Sequence, residues 1–221
     1  MTSPPRDFYR RRLPHWHPAG QTFFITFRLT NSLPIAVIQQ LQEERERERK
    51  KIRVQFSGPE QYEELYKLDK KYFGRYDAWL DRCVAESPRW LVQENIARIV
   101  AEQIHALNGE RYRLIAYCLM PNHGHLMIDT ADYFASNPMP HAGRTAPYPL
   151  ADALKLLKGR TSRYCNQALH REGAFWHHES YDHVVRNEKE YQRIIWYIVN
   201  NPVKAGLVEN WEAWPFTYYA E

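Results

Sequence analysis

Cysteine is scarce in this sequence, and its placement excludes two common classes of small protein. The 221 residues contain three cysteines, Cys83, Cys118 and Cys165, which lie far apart and never in the CxxC spacing of a zinc knuckle. Because a disulfide framework is also absent, a reduced, cytosolic protein is expected. The sequence lacks an apolar run approaching the roughly 18 residues of a membrane span, and residues 1–12 lack the apolar core of a signal peptide. Neither export nor membrane anchoring is expected.

The net charge is small as well, but it is unevenly distributed. The formal charge is +4 and the isoelectric point is near 8.9, whereas Arg10, Arg11 and Arg12 follow one another near the N-terminus. Such a cluster favours a phosphate-bearing partner. Aromatic residues make up 14% of the chain and could stack on unpaired bases, although packing in the core accounts for most of them.

Strand and helix patterns alternate along the chain. Residues 22–29 and 112–119 have the apolar, β-branched and aromatic content of strands, and the apolar spacing of residues 92–107 fits an amphipathic helix. A further helix is expected at about residues 150–169. Strands interleaved with helices around a central hairpin predict an α+β fold with an antiparallel, ferredoxin-like sheet rather than a parallel doubly wound sheet.

The length predicts one domain over residues 1–221. This domain is expected to carry a helical insertion around residues 40–90 and a proline-rich loop at residues 132–149. Within the insertion, acidic and basic residues alternate from Glu43 to Lys51, which predicts a solvated helix face with weak ion pairs. The polar and aromatic residues 56–78 give no secure prediction.

Two histidines one residue apart are the most informative feature of the chain. His123 and His125 follow the turn residues 120–122 and open an apolar run. Because successive side chains of a strand point to opposite faces, both histidines would emerge on one face, with Gly124 between them. Two adjacent imidazoles can hold one divalent cation, although a short pair of this kind without context is more often surface or packing histidine.

A tyrosine and an asparagine near the end of the chain could complete such a site. Residues 188–199 predict a last helix, stopped near Asn201 by Pro202. Tyr197 and Asn201 are four residues apart and would share a helical face. If that face opposes the histidines, the amide oxygen completes a site of two nitrogens and one oxygen, for which Mg²⁺ or Mn²⁺ is expected. Tyr197 could then attack a phosphate polarised by the metal and form a covalent phosphotyrosine.

At these residues the chain resembles the REP-associated tyrosine transposases, a branch of the one-tyrosine HUH single-strand nucleases that includes the transposases of small bacterial insertion sequences. The resemblance covers nearly the whole chain in several ordered blocks. The blocks are Arg11-Arg12-Leu13-Pro14-His15-Trp16, Phe24-Ile25-Thr26-Phe27-Arg28, Met120-Pro121-Asn122-His123-Gly124-His125-Leu126, Leu154-Lys155 through Thr161-Ser162-Arg163, Tyr181-Asp182-His183-Val184-Val185-Arg186, and Tyr197 through Val208.

The resemblance implies an HUH nuclease fold, metal binding by His123 and His125, and a nucleophilic Tyr197. Asn201 stands where relatives often carry glutamine. Gly124 departs from the family pattern, which has a bulky hydrophobic residue between the histidines. Because this middle residue would face away from the metal, the change is expected to affect strand packing more than chemistry.

The function predicted from these observations is that of a metal-dependent single-stranded DNA endonuclease and strand transferase, that is, a transposase acting at hairpins or palindromic repeats. It would work in the bacterial cytoplasm, at the nucleoid, as a monomer or a dimer. Phosphate contacts are expected from the N-terminal arginines and from the helix at residues 150–169, although helical projection spreads the cations of that helix over more than half of its circumference. These candidate DNA-binding residues are Arg10, Arg11, Arg12, Lys155, Lys158, Arg160 and Arg163.

Several alternatives compete with this interpretation. The chain has fifteen tyrosines, among which Tyr181 and Tyr191 are rivals for the nucleophile. His178 and His183 suggest a zinc protease, but they are five residues apart, whereas the HExxH motif needs a spacing of four. A domesticated protein that binds hairpin DNA and rarely cuts it is the alternative function. A metal phosphodiesterase that uses water as the nucleophile is a second alternative, and it would leave no protein attached to DNA.

Overall fold

The computed structural model describes residues 8–10, 14–16, 20–136 and 149–220. Arg11, Arg12 and residues 137–148 of the expected proline-rich loop lie outside these ranges, as does the side chain of Arg10. The chain divides into two compact units, one formed by Met1–Thr30 with Trp90–Glu221 and the other by Asn31–Arg89. The expectation of a single domain with an insertion stays a prediction.

A five-stranded antiparallel sheet is the framework of the first unit. In spatial order its strands are β6 (Tyr181–Val184), β3 (Thr22–Arg28), β5 (His123–Asp129), β4 (Arg113–Leu119) and β7 (Thr217–Tyr219). The short strands β1 (Phe8–Arg10) and β2 (Pro14–Trp16) pair separately. The order of β6, β3, β5 and β4 is the ferredoxin-like one, in which the first and second strands enclose the third. The predicted α+β fold with an antiparallel sheet is therefore confirmed.

Two helices cover one face of this sheet. Helix α3 (Glu94–Ala106) lies between β3 and β4 along the chain, and α5 (Pro149–Ala168) follows β5 and the short α4 (Ala131–Ser136). Every second residue of β3 is buried under these helices, together with alternate residues of β5 and one stripe of each helix, as the periods of strand and helix require. This core includes Phe23, Ile25, Phe27, Leu126, Ile128, Ile96, Val100, Ile104, Leu150 and Leu157.

The opposite face of the sheet packs against α6 (Glu188–Val199), which contacts β4 and β5. Two side chains cap the start of this helix: Asn187 Oδ1 accepts a hydrogen bond from the Glu190 N–H at 2.9 Å, and Glu190 Oε2 accepts one from the Arg186 N–H at 3.1 Å. The helix ends at Val199. Pro202 was expected to stop it, but instead lies in the first turn of the short α7 (Asn201–Lys204), where a missing N–H is tolerated.

The second unit is a pair of long helices, α1 (Ile35–Gln55) and α2 (Gly58–Arg82). The expectation of a wholly solvated face from Glu43 to Lys51 is wrong at Arg45, whose side chain is buried. The Arg45 Nε and Nη2 donate to Asp69 Oδ1 at 3.0 and 2.7 Å, so this ion pair joins the two helices. No helix within the described ranges combines the length and the apolar character needed to cross a membrane.

Candidate active site

The turn between β4 and β5 presents the histidine pair. The Met120 N–H donates to the His123 carbonyl oxygen at 2.8 Å and closes the turn. His123 and His125 then alternate with Gly124 along β5, so both imidazoles lie on the sheet face that packs against α6, and both are fully buried. Phe27 on β3 pairs with Gly124 on β5, and the Phe27 side chain lies on the opposite face of the sheet from the two imidazoles. The predicted placement of both histidines on one face is confirmed by this register.

Neighbouring polar side chains fix the orientation of both rings. The Nδ1 of His123 donates to Asn122 Oδ1 at 2.7 Å, because an amide oxygen can only accept. The Nδ1 of His125 lies 2.8 Å from Thr26 Oγ1 on β3. With both Nδ1 atoms held, the two Nε2 atoms face one another at 3.2 Å. Two nitrogens bound to one ion at about 2.1 Å and at a right angle would lie about 3.0 Å apart, so the pair has the spacing of a shared metal site.

The electrostatic surroundings keep His125 neutral. Burial lowers the pKa of His125 from 6.5 to about 3, and the positive charge of Lys204 contributes in the same direction. A neutral imidazole has the free lone pair that a metal ion needs. His125 could therefore bind a metal ion at neutral pH without first losing a proton.

Asn201 brings an amide to the same place. Its side chain is 1% exposed, and its Nδ2 lies 3.1 Å from His125 Nε2. The Oδ1 of Asn201 is buried and has no hydrogen-bond partner among the described residues. A buried oxygen without a partner is costly, and a cation would satisfy it. Because the two ends of an amide have nearly the same shape, a half rotation would turn this oxygen to the histidines. The three residues therefore fit a site of two nitrogens and one oxygen.

Tyr197 lies beside this group at the end of α6. Its half-buried ring meets the ring of His125 edge to face, with the centroids 5.3 Å apart, and it meets Phe24 similarly at 6.0 Å. Helix α6 ends at Val199, which confirms the predicted helix over residues 188–199, and Asn201 begins α7. The Asn200 N–H still bonds to the Trp196 carbonyl at 3.0 Å, so the backbone keeps a nearly helical path and both side chains reach His125.

The residues around this site that the sequence interpretation missed include Thr26, Asn122 and Lys204. Lys204 Nζ lies 5.5 Å from the centroid of the Tyr197 ring, within range of a cation–π contact. Its position three residues after Asn201 and seven after Tyr197 is the spacing of one helical face, and this signal could have identified it. Thr26 was detectable as a polar residue between apolar neighbours in β3, whereas nothing local showed that it would face His125.

The two rival tyrosines lie in different surroundings. Tyr181 pairs with Thr26 across β6 and β3 and contacts Phe24, at the edge of the same face. Tyr191, on α6, bonds to Arg113, and burial raises the pKa of its phenol. His183 lies on strand β6, with its Nε2 3.3 Å from Glu190 Oε1, so it has neither the spacing nor the helix of an HExxH motif.

The candidate cations of α5 separate into two groups. Lys155, Arg160 and Arg163 line a groove beside this helix. Lys158 points to the segment before β6 instead, where its Nζ donates to the carbonyl oxygens of His177 at 2.6 Å and His178 at 3.2 Å. Three of the four cations are thus on one side of the helix, although helical projection had suggested a wide spread.

No protein-family model matches this chain. A Haemophilus influenzae protein that carries the provisional name of REP-associated tyrosine transposase is 28% identical over 108 residues, which are 49% of this chain and 59% of that protein. The matching region thus spans less than two thirds of the relative.

Among solved structures, a REP-associated tyrosine transposase bound to a REP hairpin aligns with 98% of this chain and 82% of its own, with a TM-score of 0.50 and 16% identity. At this identity the likeness concerns the fold alone. A second structure, from Deinococcus radiodurans, has a TM-score of 0.35 at 15% identity, too low to support an argument. The resemblance noted in the sequence is confirmed: the chain is similar in sequence to one protein named as a REP-associated tyrosine transposase and shares the fold of another.

Proposed function

We propose that this protein is a metal-dependent single-stranded DNA endonuclease and strand transferase that works through a covalent 5′-phosphotyrosine at Tyr197. One observation carries the proposal. The ring of Tyr197 packs against His125 beside a buried group of two imidazoles and one amide whose oxygen has no partner among the described residues. A phenol next to a potential cation site is an arrangement suited to phosphoryl transfer.

His123, His125 and Asn201 would hold the cation, and the expected ion is Mg²⁺ or Mn²⁺. When bound, the ion would polarise the scissile phosphate. Asn122 and Thr26 hold the rings by their Nδ1 atoms and leave both Nε2 atoms turned inward. Such outer hydrogen bonds fix the orientation of histidine ligands in metal sites.

In the proposed reaction the Tyr197 hydroxyl oxygen attacks phosphorus. The bond from phosphorus to the tyrosine oxygen forms as the bond from phosphorus to the 3′ oxygen breaks. The leaving oxygen takes up a proton and becomes a 3′ hydroxyl, while the phenol loses its own proton. The reverse attack by the 3′ hydroxyl of another strand would rejoin DNA without a further energy source. The Lys204 ammonium group, beside the Tyr197 ring, is placed to pair with an oxygen of the transferred phosphate.

The proposed substrate is unpaired DNA beside a hairpin or palindromic repeat. The relative of solved structure is described as bound to a REP hairpin, and the resemblance in sequence supports extending that partner to this chain. Acting on such DNA, the protein would work in the bacterial cytoplasm at the nucleoid, as a monomer or a dimer. The candidate phosphate contacts at Arg10, Arg11, Arg12 and Lys158 stay predictions.

The decisive experiment asks which tyrosine becomes attached to DNA. Purified protein is incubated with Mn²⁺ and an oligonucleotide containing a hairpin and an unpaired flank, and adducts are resolved on a denaturing gel. Tyr197→Phe should abolish the adduct and keep hairpin binding, because it removes one hydroxyl and little volume. Tyr181→Phe, which alters a rival on the same face, should retain the adduct.

Three other results would each support a different interpretation. An adduct formed by the Tyr197→Phe variant would contradict the assignment of the nucleophile. Cleavage by the natural protein without an adduct would favour water as the nucleophile. Tight hairpin binding without any cleavage would favour the domesticated DNA-binding protein.

A further inference from the structure

A cationic groove runs beside α5, and the proposed reaction makes no use of it. It encloses about 490 Å³. We call it the α5 groove; the lining residues that matter here are Arg111, Asp152, Lys155, Arg160, Arg163 and Tyr164. Four of these six side chains are cationic and one is anionic, so the groove has a local excess of positive charge.

The charges of the α5 groove are largely uncompensated. Within the described part of the chain, no ion pair or hydrogen bond involves the side chains of Lys155, Arg160 and Arg163. Arg111 is the exception, since it bonds to Glu110 at 3.1 Å and to the Tyr133 hydroxyl at 3.4 Å. Some exposed arginines elsewhere do have partners, as Arg98 does with Glu94. Cations left unpaired in one groove are suited to a polyanion.

An exposed aromatic ring in the α5 groove favours one kind of polyanion. Tyr164 is 43% exposed and makes no ring contact within the described ranges. A cationic groove combined with an exposed aromatic side chain is the arrangement that binds unpaired nucleic acid, because the cations follow the backbone while a base stacks on the ring. In a paired stem the bases are stacked on one another and are not available to Tyr164.

The α5 groove is separate from the candidate active site. Leu157 and Cys165 of α5 belong to the core that covers the face of Phe23, Ile25 and Phe27. His123 and His125 lie on the opposite face of the same sheet, under α6. A strand in the groove is therefore held apart from the reacting phosphate.

We propose that the α5 groove binds an unpaired DNA strand as a second site, distinct from the place of cleavage, through phosphate contacts to Lys155, Arg160 and Arg163 and one base stacked on Tyr164. This inference rests on the proposed function for its choice of DNA as the partner. It predicts that anchoring and cleavage can be changed independently.

The test measures binding by fluorescence anisotropy, with an oligothymidylate of about 12 nucleotides as the probe. Tyr164→Ala should weaken binding about tenfold, whereas Tyr164→Phe, which keeps the ring, should bind as the natural protein does. For the pair Arg160→Gln and Arg163→Gln, the slope of log affinity against log salt should fall by about 1.4, since each lost single-strand phosphate contact removes about 0.7. Arg98→Gln, a change at a 61% exposed arginine on α3 outside the groove, is the matched control and should have little effect.

Two further oligonucleotides test strand binding in the groove separately from the proposed reaction. A blunt hairpin without unpaired ends should bind the natural protein and Tyr164→Ala equally well. Adduct formation on a short oligonucleotide that spans only the scissile phosphate should be unchanged in Tyr164→Ala. Absence of that adduct from the natural protein would contradict the proposed reaction and leave the binding results standing.

The inference is overturned if the groove variants bind oligothymidylate as tightly as the natural protein does. It is also overturned if Tyr164→Ala has no effect while the arginine variants weaken the blunt hairpin as much as the oligothymidylate, because the groove would then hold a duplex. Thermal melts of each variant exclude unfolding as the cause of a loss.

Discussion

Gly124 is a glycine because of its neighbour across the sheet. A Cβ atom at this position would lie 2.7 Å from Cζ of Phe27 and 3.0 Å from Cδ2 of Leu119. Gly124→Val should therefore destabilise the protein by about 1–3 kcal/mol, since a packed core cannot absorb the added atoms without strain. Urea denaturation gives the change in the free energy of unfolding.

The cause can be tested by removing the obstructing ring. Phe27→Ala alone should cost about 3–5 kcal/mol through its cavity. In combination with Gly124→Val the total loss should be smaller than the sum, because the new side chain fills part of that cavity. Strict additivity of the two losses would show that Phe27 does not restrict position 124.

The proposed metal ligands should differ in how much each contributes to Mn²⁺ binding and to cleavage. His123→Ala should abolish Mn²⁺-dependent cleavage and the rise in melting temperature that bound Mn²⁺ gives the natural protein, because the remaining ligands cannot retain a weakly bound cation. Asn201→Ala should be milder, since water can replace one neutral oxygen, and activity should recover in part at high Mn²⁺. Full activity of the natural protein in EDTA would contradict the metal site.

His177 should make stability depend on pH in a defined window. Burial lowers the pKa of His177 from 6.5 to about 4, helped by the charges of Arg28 and Lys158. Because the unfolded chain protonates first as the pH falls, this histidine contributes stability above pH 6.5 that is lost progressively down to about pH 4. Midpoints of urea denaturation across this range should fall less steeply for His177→Gln. The exposed neighbour provides the control, and His178→Gln should keep most of the slope.

Helix α6 depends on its first turn for the position of Tyr197. Asn187→Ala removes the acceptor of the Glu190 N–H and should cost about 1 kcal/mol of stability. It should also reduce adduct formation, because the helix that carries Tyr197 would fray from its start. Asn210→Ala is the matched control, since Asn210 caps a turn of three residues in the same way at 3.3 Å. Equal losses from the two variants would mean that the cap of α6 has no special importance.

The strands and the hairpin could be predicted because their signals are local. The alternation of side chains around His123, and the apolar residues of β3, indicate a strand and the face of the sheet on which each side chain lies, without knowledge of distant contacts. A helical insertion was expected around residues 40–90, but the bounds of helix α2 could not be predicted, because Gly58 and Gly74 look like breaks. Gly58 adopts a φ of 57° at the start of the helix, and Gly74 is tolerated inside it because buried residues such as Leu80 anchor the helix in the second unit.

The candidate site was predictable only as far as its residues lie close in sequence. His123, His125, Tyr197 and Asn201 could be proposed from two short spacings. Thr26 comes from another strand and pairs with His125 across 99 positions of the chain, so no local pattern indicates it. Likewise, the different orientations of Lys158 and Arg160 on one helix depend on the packing of the segment before β6.

For the molecule as a whole, the sheet separates two tasks. One face carries the histidine pair and Tyr197, and the other carries α5 and its groove. Neighbouring residues of β3 and β5 point to opposite faces. Phe27 and Leu126 pack beneath α3 and α5, while Thr26 and His125 point to α6. Substitutions in the groove should therefore alter DNA affinity with little change in the chemistry.

The three buried cysteines allow the unfolding of the natural protein to be followed by their reactivity. Burial raises the pKa of Cys118 and Cys165 to about 12 and also raises that of Cys83, so each stays an unreactive thiol while its surroundings are closed. Cys83 belongs to the second compact unit, and the other two belong to the first. Pulses of an alkylating reagent, followed by peptide mass spectrometry, would thus measure the rate at which each unit opens, with no engineered label.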